Sequence, residues 1–81
     1  MVSIYQYGDF RKYVRNRFEE MPKKGHGQAF KLAKYLGVHP TLMSQILRGD
    51  RVFTLEQGHR ACIFFGMNEL ESDFFILLIQ I

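Results

Sequence analysis

Apolar residues recur along most of the chain at helical spacing. The clearest run has apolar side chains at i, i+3, i+4 and i+7, namely Ala29, Leu32, Ala33 and Leu36. Such spacing places them on one face of an α-helix. Nowhere does strict alternation of apolar and polar residues persist between turn signals, so no β-strand is predicted. The pattern predicts an all-α domain.

Helix-capping residues divide this pattern into five helices, over about residues 9–21, 28–36, 40–48, 54–66 and from 68 onward. Asp9 is a good N-cap for the first helix, and Asn68 for the fifth. The fourth helix opens with Thr54-Leu55-Glu56-Gln57, which is a capping-box sequence. Gly37 suits the left-handed residue that ends the second helix, and Pro40 suits the first position of the third.

The last helix carries large apolar residues on every side. An amphipathic helix buries an apolar arc of roughly 100° or a little more. We expect the core stripe to consist of Leu70, Phe74, Leu77, Leu78 and Ile81. Phe75, Ile76 and Ile79 would then contact a second copy of the chain or a following C-terminal region. The alternatives are an extra core layer against Phe64 or simple exposure.

Composition limits the kind of protein. The chain has 81 residues, of which 47% are hydrophobic and 23% charged, as in one small folded domain. Its single Cys62 excludes an internal disulfide, and no secretion signal opens the chain, so a cytoplasmic location is expected. The longest apolar run, residues 74–79, is far too short to span a membrane.

Charge is unevenly distributed. Residues 1–51 hold ten Lys/Arg against four Asp/Glu, a net +6, and residues 52–81 hold one against four, a net −3. A basic half indicates an anionic partner such as nucleic acid, although ordinary solvated surface gives the same count.

Residues 28–49 form the most informative segment, because two short helices joined by a tight turn with Gly37 are typical of a helix-turn-helix unit. The second of these helices would bury Met43, Ile46 and Leu47. Its other side chains would point outward, which are Thr41, Leu42, Ser44, Gln45 and Arg48. Taken alone, this pattern also fits any pair of antiparallel helices.

The segment resembles the helix-turn-helix of the lambda-repressor and Cro-like family. The matching residues are Ala33, Gly37-Val38, His39, Met43, Ile46 and Gly49. The resemblance covers about residues 28–66, and the five-helix count extends it over the domain. Residues 5–18 and 47–51 are also similar to the N-terminal part of longer predicted bacterial regulators.

The resemblance implies a transcriptional regulator that binds double-stranded DNA, with residues 40–48 as the recognition helix in the major groove. The implied base-contacting residues are Thr41, Leu42, Ser44 and Gln45. The implied phosphate-contacting residues are Gln28, Lys31, Lys34, His39, Arg48 and Arg51. Gln45 suits adenine, and Leu42 suits a thymine methyl group or, alternatively, packing on a neighbouring loop. His39 would cap the recognition helix.

Two positions depart from the family pattern. Ala29 stands where many relatives have a phosphate-binding glutamine, which leaves Gln28 one residue early. Pro40 replaces a polar residue that often reads a base, so DNA shape would contribute more to specificity.

Other chemistry finds little support in the sequence. His26, His39 and His59 lack zinc-site spacing, and no phosphate-loop pattern occurs. His59 and Ser44 have no obvious third partner for catalysis, so no enzyme activity, cofactor, metal or small-molecule substrate is predicted. The expected partners are double-stranded DNA and a second copy or a following region. The alternative function is a helical adaptor that binds protein through the same fold.

Overall fold

The computed structural model describes residues 3–22 and 27–81. The described residues form five α-helices, which are α1 (Phe10–Glu19), α2 (Gln28–Leu36), α3 (Pro40–Arg48), α4 (Leu55–Phe64) and α5 (Glu69–Gln80). One turn of 3-10 helix, Ile4–Gln6, precedes them. Over these two ranges no strand is present, and the all-α prediction is confirmed.

The predicted capping residues start the helices as expected. The Asp9 carboxylate accepts a hydrogen bond from the Arg11 N–H at 2.9 Å. Thr54 and Asn68 each form a reciprocal capping box with the residue three positions later. Helices α1 and α4 end two residues before the predicted positions, at Glu19 and Phe64.

A cluster of aromatic rings forms the centre of the core. The ring of Phe75 in α5 lies 6.1 Å from Phe10, 6.2 Å from Tyr13 and 6.4 Å from Phe53, measured between centroids. Phe10 and Tyr13 belong to α1, and Phe53 belongs to the segment before α4. The cluster therefore joins three parts of the chain that are distant in sequence.

Helix α5 packs closely on α4 at Gly58. A Cβ atom at Gly58 would lie 2.7 Å from Cδ1 of Ile79 and 3.0 Å from Cδ1 of Ile76. The missing side chain of Gly58 thus leaves the space that these two isoleucines occupy. This contact and the aromatic cluster fix which side of α5 faces the core.

The predicted core stripe of α5 is wrong for three of its five members. Leu70 is 71% exposed, Leu77 is 53% exposed and Ile81 is 87% exposed, whereas Leu78 is buried and Phe74 half-buried. The residues predicted to contact a partner lie inside instead, since Phe75 and Ile79 are buried and Ile76 is half-buried against the core. Phe75, Ile76 and Ile79 therefore belong to the core of the domain itself, where they pack on Gly58 and on the aromatic cluster rather than in the predicted extra layer against Phe64.

Candidate functional site

Helices α2 and α3 are joined by a three-residue turn, Gly37-Val38-His39. Gly37 has a φ of 74°, a conformation that other residues rarely adopt. The N–H of Val38 then donates to the carbonyl of Ala33 at 3.0 Å. This bond satisfies a carbonyl at the end of α2 and allows the chain to turn directly into α3.

His39 caps α3 at its N-terminal end. Its Nδ1 accepts a hydrogen bond from the N–H of Thr41 at 3.1 Å, which confirms the predicted capping position. In a neutral imidazole the other ring nitrogen, Nε2, then carries the proton and is a donor. The side chain of His39 is exposed, so this donor is accessible to a partner.

One side of α3 anchors the helix in the core through Met43 and Ile46, both buried. On the opposite side Thr41, Ser44 and Arg48 are exposed and Gln45 is half-buried. The side chains of Thr41, Ser44 and Gln45 form no hydrogen bond with any residue in the described ranges, so they remain available to an external partner.

The two leucines of α3 are both half-buried against the core. For Leu47, which was predicted to be inside, the burial is partial. Leu42 was predicted to point outward, with packing on a neighbouring loop as an alternative, but its side chain packs partly against the core. A side chain shared between core and surface is less suited to a direct base contact.

Two arginines of α1 hold the C-terminal end of α3. Arg11 donates from Nε to the carbonyl of Ile46 at 2.7 Å and from a terminal nitrogen to the carbonyl of Arg51 at 2.8 Å. Arg15, one helical turn later, donates to the carbonyl of Leu47. The last carbonyls of a helix lack intrahelical partners, and positive charge is favourable there. This arrangement was not predicted from sequence, because it joins residues more than thirty positions apart.

Arg17, also in α1, binds the C-terminal end of α4. Its guanidinium donates to the carbonyl of Phe65 at 2.7 Å and to the hydroxyl of Tyr13 at 2.7 Å. Burial raises the pKa of the Tyr13 phenol, with a smaller opposing effect of the Arg17 hydrogen bond, so this hydroxyl remains protonated at neutral pH. Arg11, Arg15 and Arg17 therefore bind backbone carbonyls of the domain itself, which weakens the simple charge argument for an anionic partner.

The remaining predicted phosphate-contacting residues are Gln28, Lys31, Lys34, Arg48 and Arg51. All of them except Gln28, which is half-buried as the first residue of α2, are exposed. The residue before it, Gly27, provides no side-chain cap to α2. Within residues 3–22 and 27–81, no side chain caps the first N–H groups of α2, which lie at the positive end of the helix dipole.

Arg48 is paired with Asp50. Its Nε and one terminal nitrogen lie 3.2 and 2.9 Å from the same carboxylate oxygen. Both side chains are exposed, and such surface pairs contribute little to stability. A phosphate near Arg48 would compete with this carboxylate.

A groove of about 200 Å³ lies between α2 and α3. Its lining consists of Ala29, Phe30, Pro40, Met43 and Ser44. The two positions that depart from the family pattern, Ala29 and Pro40, thus face the same space. Among the described residues that line the groove, Ser44 alone carries a hydroxyl.

The titratable side chains with metal-binding or nucleophilic chemistry are spread over the described ranges. His26 lies outside them, and within them no three His, Cys, Asp or Glu side chains are grouped as a metal site would need. Cys62 is buried, and burial raises the pKa of its thiol, which disfavours the reactive thiolate. None of the helices in residues 3–22 and 27–81 is long and apolar enough to cross a membrane.

No protein-family model, curated protein or solved structure matches this chain.

Proposed function

We propose that this chain is a sequence-specific double-stranded DNA-binding domain of a transcriptional regulator, with α3 as the recognition helix. The observation that carries the proposal is that α3 is fixed firmly to the domain while its outer side carries polar side chains. This nine-residue helix is anchored in the core by Met43 and Ile46 and held at its end by Arg11 and Arg15. Its outer side presents polar side chains that the fold does not use.

An α-helix fits the DNA major groove, which is about 12 Å wide. Gln45 would form two hydrogen bonds with adenine, and Thr41 and Ser44 would reach neighbouring base edges. Phosphates would be contacted by Lys31, Lys34, Arg51, the Nε2 of His39 and the N–H groups at the start of α2. The resemblance to lambda-repressor-like domains supports this arrangement, with α3 in the major groove and the start of α2 at the phosphates.

Selection of binding sites from random duplex DNA tests the proposal directly. A bound duplex would show log K falling linearly with log salt, with a slope of about −0.9 per neutralised phosphate. Failure to enrich any sequence, or binding that ignores salt, would contradict the proposal.

Gln45→Ala is expected to relax the preference at one base pair of the selected site by about 1–3 kcal/mol. Arg51→Ala should instead weaken all duplexes alike, because phosphates carry no sequence information. Binding measured against single-base variants of the site distinguishes the two effects. Gln80→Ala, an equivalent change at an exposed position of α5, serves as the control. Unchanged selectivity in the Gln45 variant would remove this residue from the base-reading set.

Asp50→Asn is expected to strengthen binding to every duplex by about 0.2–1 kcal/mol, because it releases Arg48 from an exposed ion pair and pairs of this kind are worth about that much. The salt dependence should steepen by about one further phosphate contact. Asp73→Asn on α5 makes the same change in net charge at another place and should leave affinity unchanged. Equal effects of both substitutions would show that only net charge matters.

A second candidate function, protein docking, has its own supporting observation. An open groove of about 400 Å³ is lined by Tyr5, Leu70, Phe74 and Leu77, and among the described residues Asp73 is the one charged side chain in its lining. This face replaces Phe75, Ile76 and Ile79 as the candidate contact for a second copy or a following C-terminal region. Helix α5 contains three acidic and no basic residues, so a basic partner segment suits it better than a second acidic α5. Binding through apolar contacts there would respond little to salt, unlike duplex binding.

A further inference from the structure

The groove between α2 and α3 has a composition that restricts what it can bind. Phe30 and Pro40 are exposed, Ala29 is half-buried, and the buried thioether side chain of Met43 lies among them. Proline has no N–H, and the other side chains apart from Ser44 carry no hydrogen-bond donor. A ligand there is recognised by its apolar surface.

Position and size restrict the ligand further. Ser44 belongs both to the groove and to the exposed side of α3, so the groove borders the face that would read bases. Its volume of about 200 Å³ admits a small group and the edge of a ring. A helix, which is about 10–12 Å across, does not fit in it.

Phe30 is the largest residue of the groove and is 60% exposed. The neighbouring Leu32 and Ala33 are fully buried and anchor α2 in the core. Phe30 therefore contributes little to folding, and its ring is available to a ligand that enters beside Pro40.

We propose that this groove accepts the 5-methyl group of a pyrimidine in the DNA major groove, with Phe30 and Pro40 as its walls. The inference rests on the proposed DNA-binding function. Within the major groove, the methyl group distinguishes thymine by an apolar contact rather than by a hydrogen bond. A cytosine methylated at the same carbon offers the same apolar group.

Leu42 was the candidate for a thymine methyl contact from sequence, and the two hypotheses are separable by mutation. Leu42 is half-buried against the core and is not among the groove residues. Loss of the Phe30 ring removes one wall of the groove, whereas loss of the Leu42 side chain leaves the walls in place.

The experiment begins with a duplex enriched by selection and replaces each thymine in turn with uracil, which lacks only the methyl group. At one position, uracil should weaken binding by about fourfold, the effect of exposing one methyl-sized group. In a second arm, cytosine at that position should bind more tightly once it is methylated at carbon 5.

Phe30→Ala should abolish the difference between thymine and uracil while retaining binding to the uracil duplex. Tyr35→Ala, which removes another exposed aromatic residue of α2, is the matched control and should preserve the difference. Because Phe30 is exposed, the variant should fold normally, and its thermal melting curve checks this.

The outcomes separate the inference from the function on which it rests. If no duplex is bound, the proposed function fails, and the inference fails with it. If duplexes are bound but every uracil duplex binds as tightly as its thymine counterpart, the inference alone is overturned. A methyl effect that survives Phe30→Ala and disappears in Leu42→Ala would also overturn it.

Discussion

Phe75→Ala is expected to destabilise the domain by about 3–5 kcal/mol, the usual cost of removing a buried phenylalanine ring. Phe75 is completely buried, and its ring contacts the rings of Phe10, Tyr13 and Phe53. Small domains are stable by only about 5–15 kcal/mol, so this loss would remove a large fraction of the total. Urea denaturation followed by circular dichroism measures it.

Leu77→Ala is the matched control on the same helix. Leu77 is 53% exposed, and its truncation should cost less than about 1 kcal/mol. The apolar stripe predicted from sequence requires the opposite order, because it placed Leu77 inside and Phe75 outside. A Leu77 variant less stable than the Phe75 variant would mean that α5 is rotated from its described orientation.

The starts of the helices were predictable because capping is a local interaction. Asp9, Thr54 and Asn68 each accept a hydrogen bond from an N–H two or three residues later, so the donor and the acceptor lie within one short stretch of sequence. Chain reversal at Gly37 is equally local, since only glycine adopts the required conformation without strain.

The rotation of α5 was not predictable in the same way. Its second half is apolar on every side, so periodicity cannot select the buried face. The choice depends on the space above Gly58 in α4 and on rings supplied by α1 and by Phe53. These are tertiary contacts, which a helical pattern does not encode.

In the candidate site, too, local features were predictable from sequence and tertiary contacts were not. The exposure of Thr41, Ser44 and Arg48 followed from the spacing of Met43 and Ile46 within one short helix. The partial burial of Leu42 and the apolar groove beside Phe30 arise where α2 and α3 meet, and one helix alone does not reveal them. The structural role of the α1 arginines depends on a contact between the beginning and the middle of the chain.

Arg11→Met is expected to destabilise the domain by about 3 kcal/mol. The variant loses two hydrogen bonds from a charged donor, and each such bond contributes about 1.5–3 kcal/mol, of which the lower value is used. The methionine retains an apolar stem that can still pack beside Phe10, whose ring lies 4.5 Å below the guanidinium. The largest loss therefore falls on the carbonyls of Ile46 and Arg51, which the guanidinium bridges, and the ion pair with Asp9 at 3.7 Å and the cation–π contact with Phe10 are lost with it. Urea denaturation gives the stability of the variant.

Two further variants separate the hydrogen bonds from the charge. Lys12→Met removes a positive charge from an exposed neighbour in α1 and should leave stability within about 0.5 kcal/mol. Arg11→Lys keeps the charge near the end of α3, but an ammonium group lacks the planar fork that reaches both carbonyls, so its stability should lie between the parent and Arg11→Met. If Arg11→Lys is as stable as the parent, favourable charge at the helix end is sufficient and the bridging geometry is not required. The expected order of stabilities would instead show that Arg11 fixes the end of α3 to α1, and thereby the orientation of the exposed side of α3 relative to the rest of the domain.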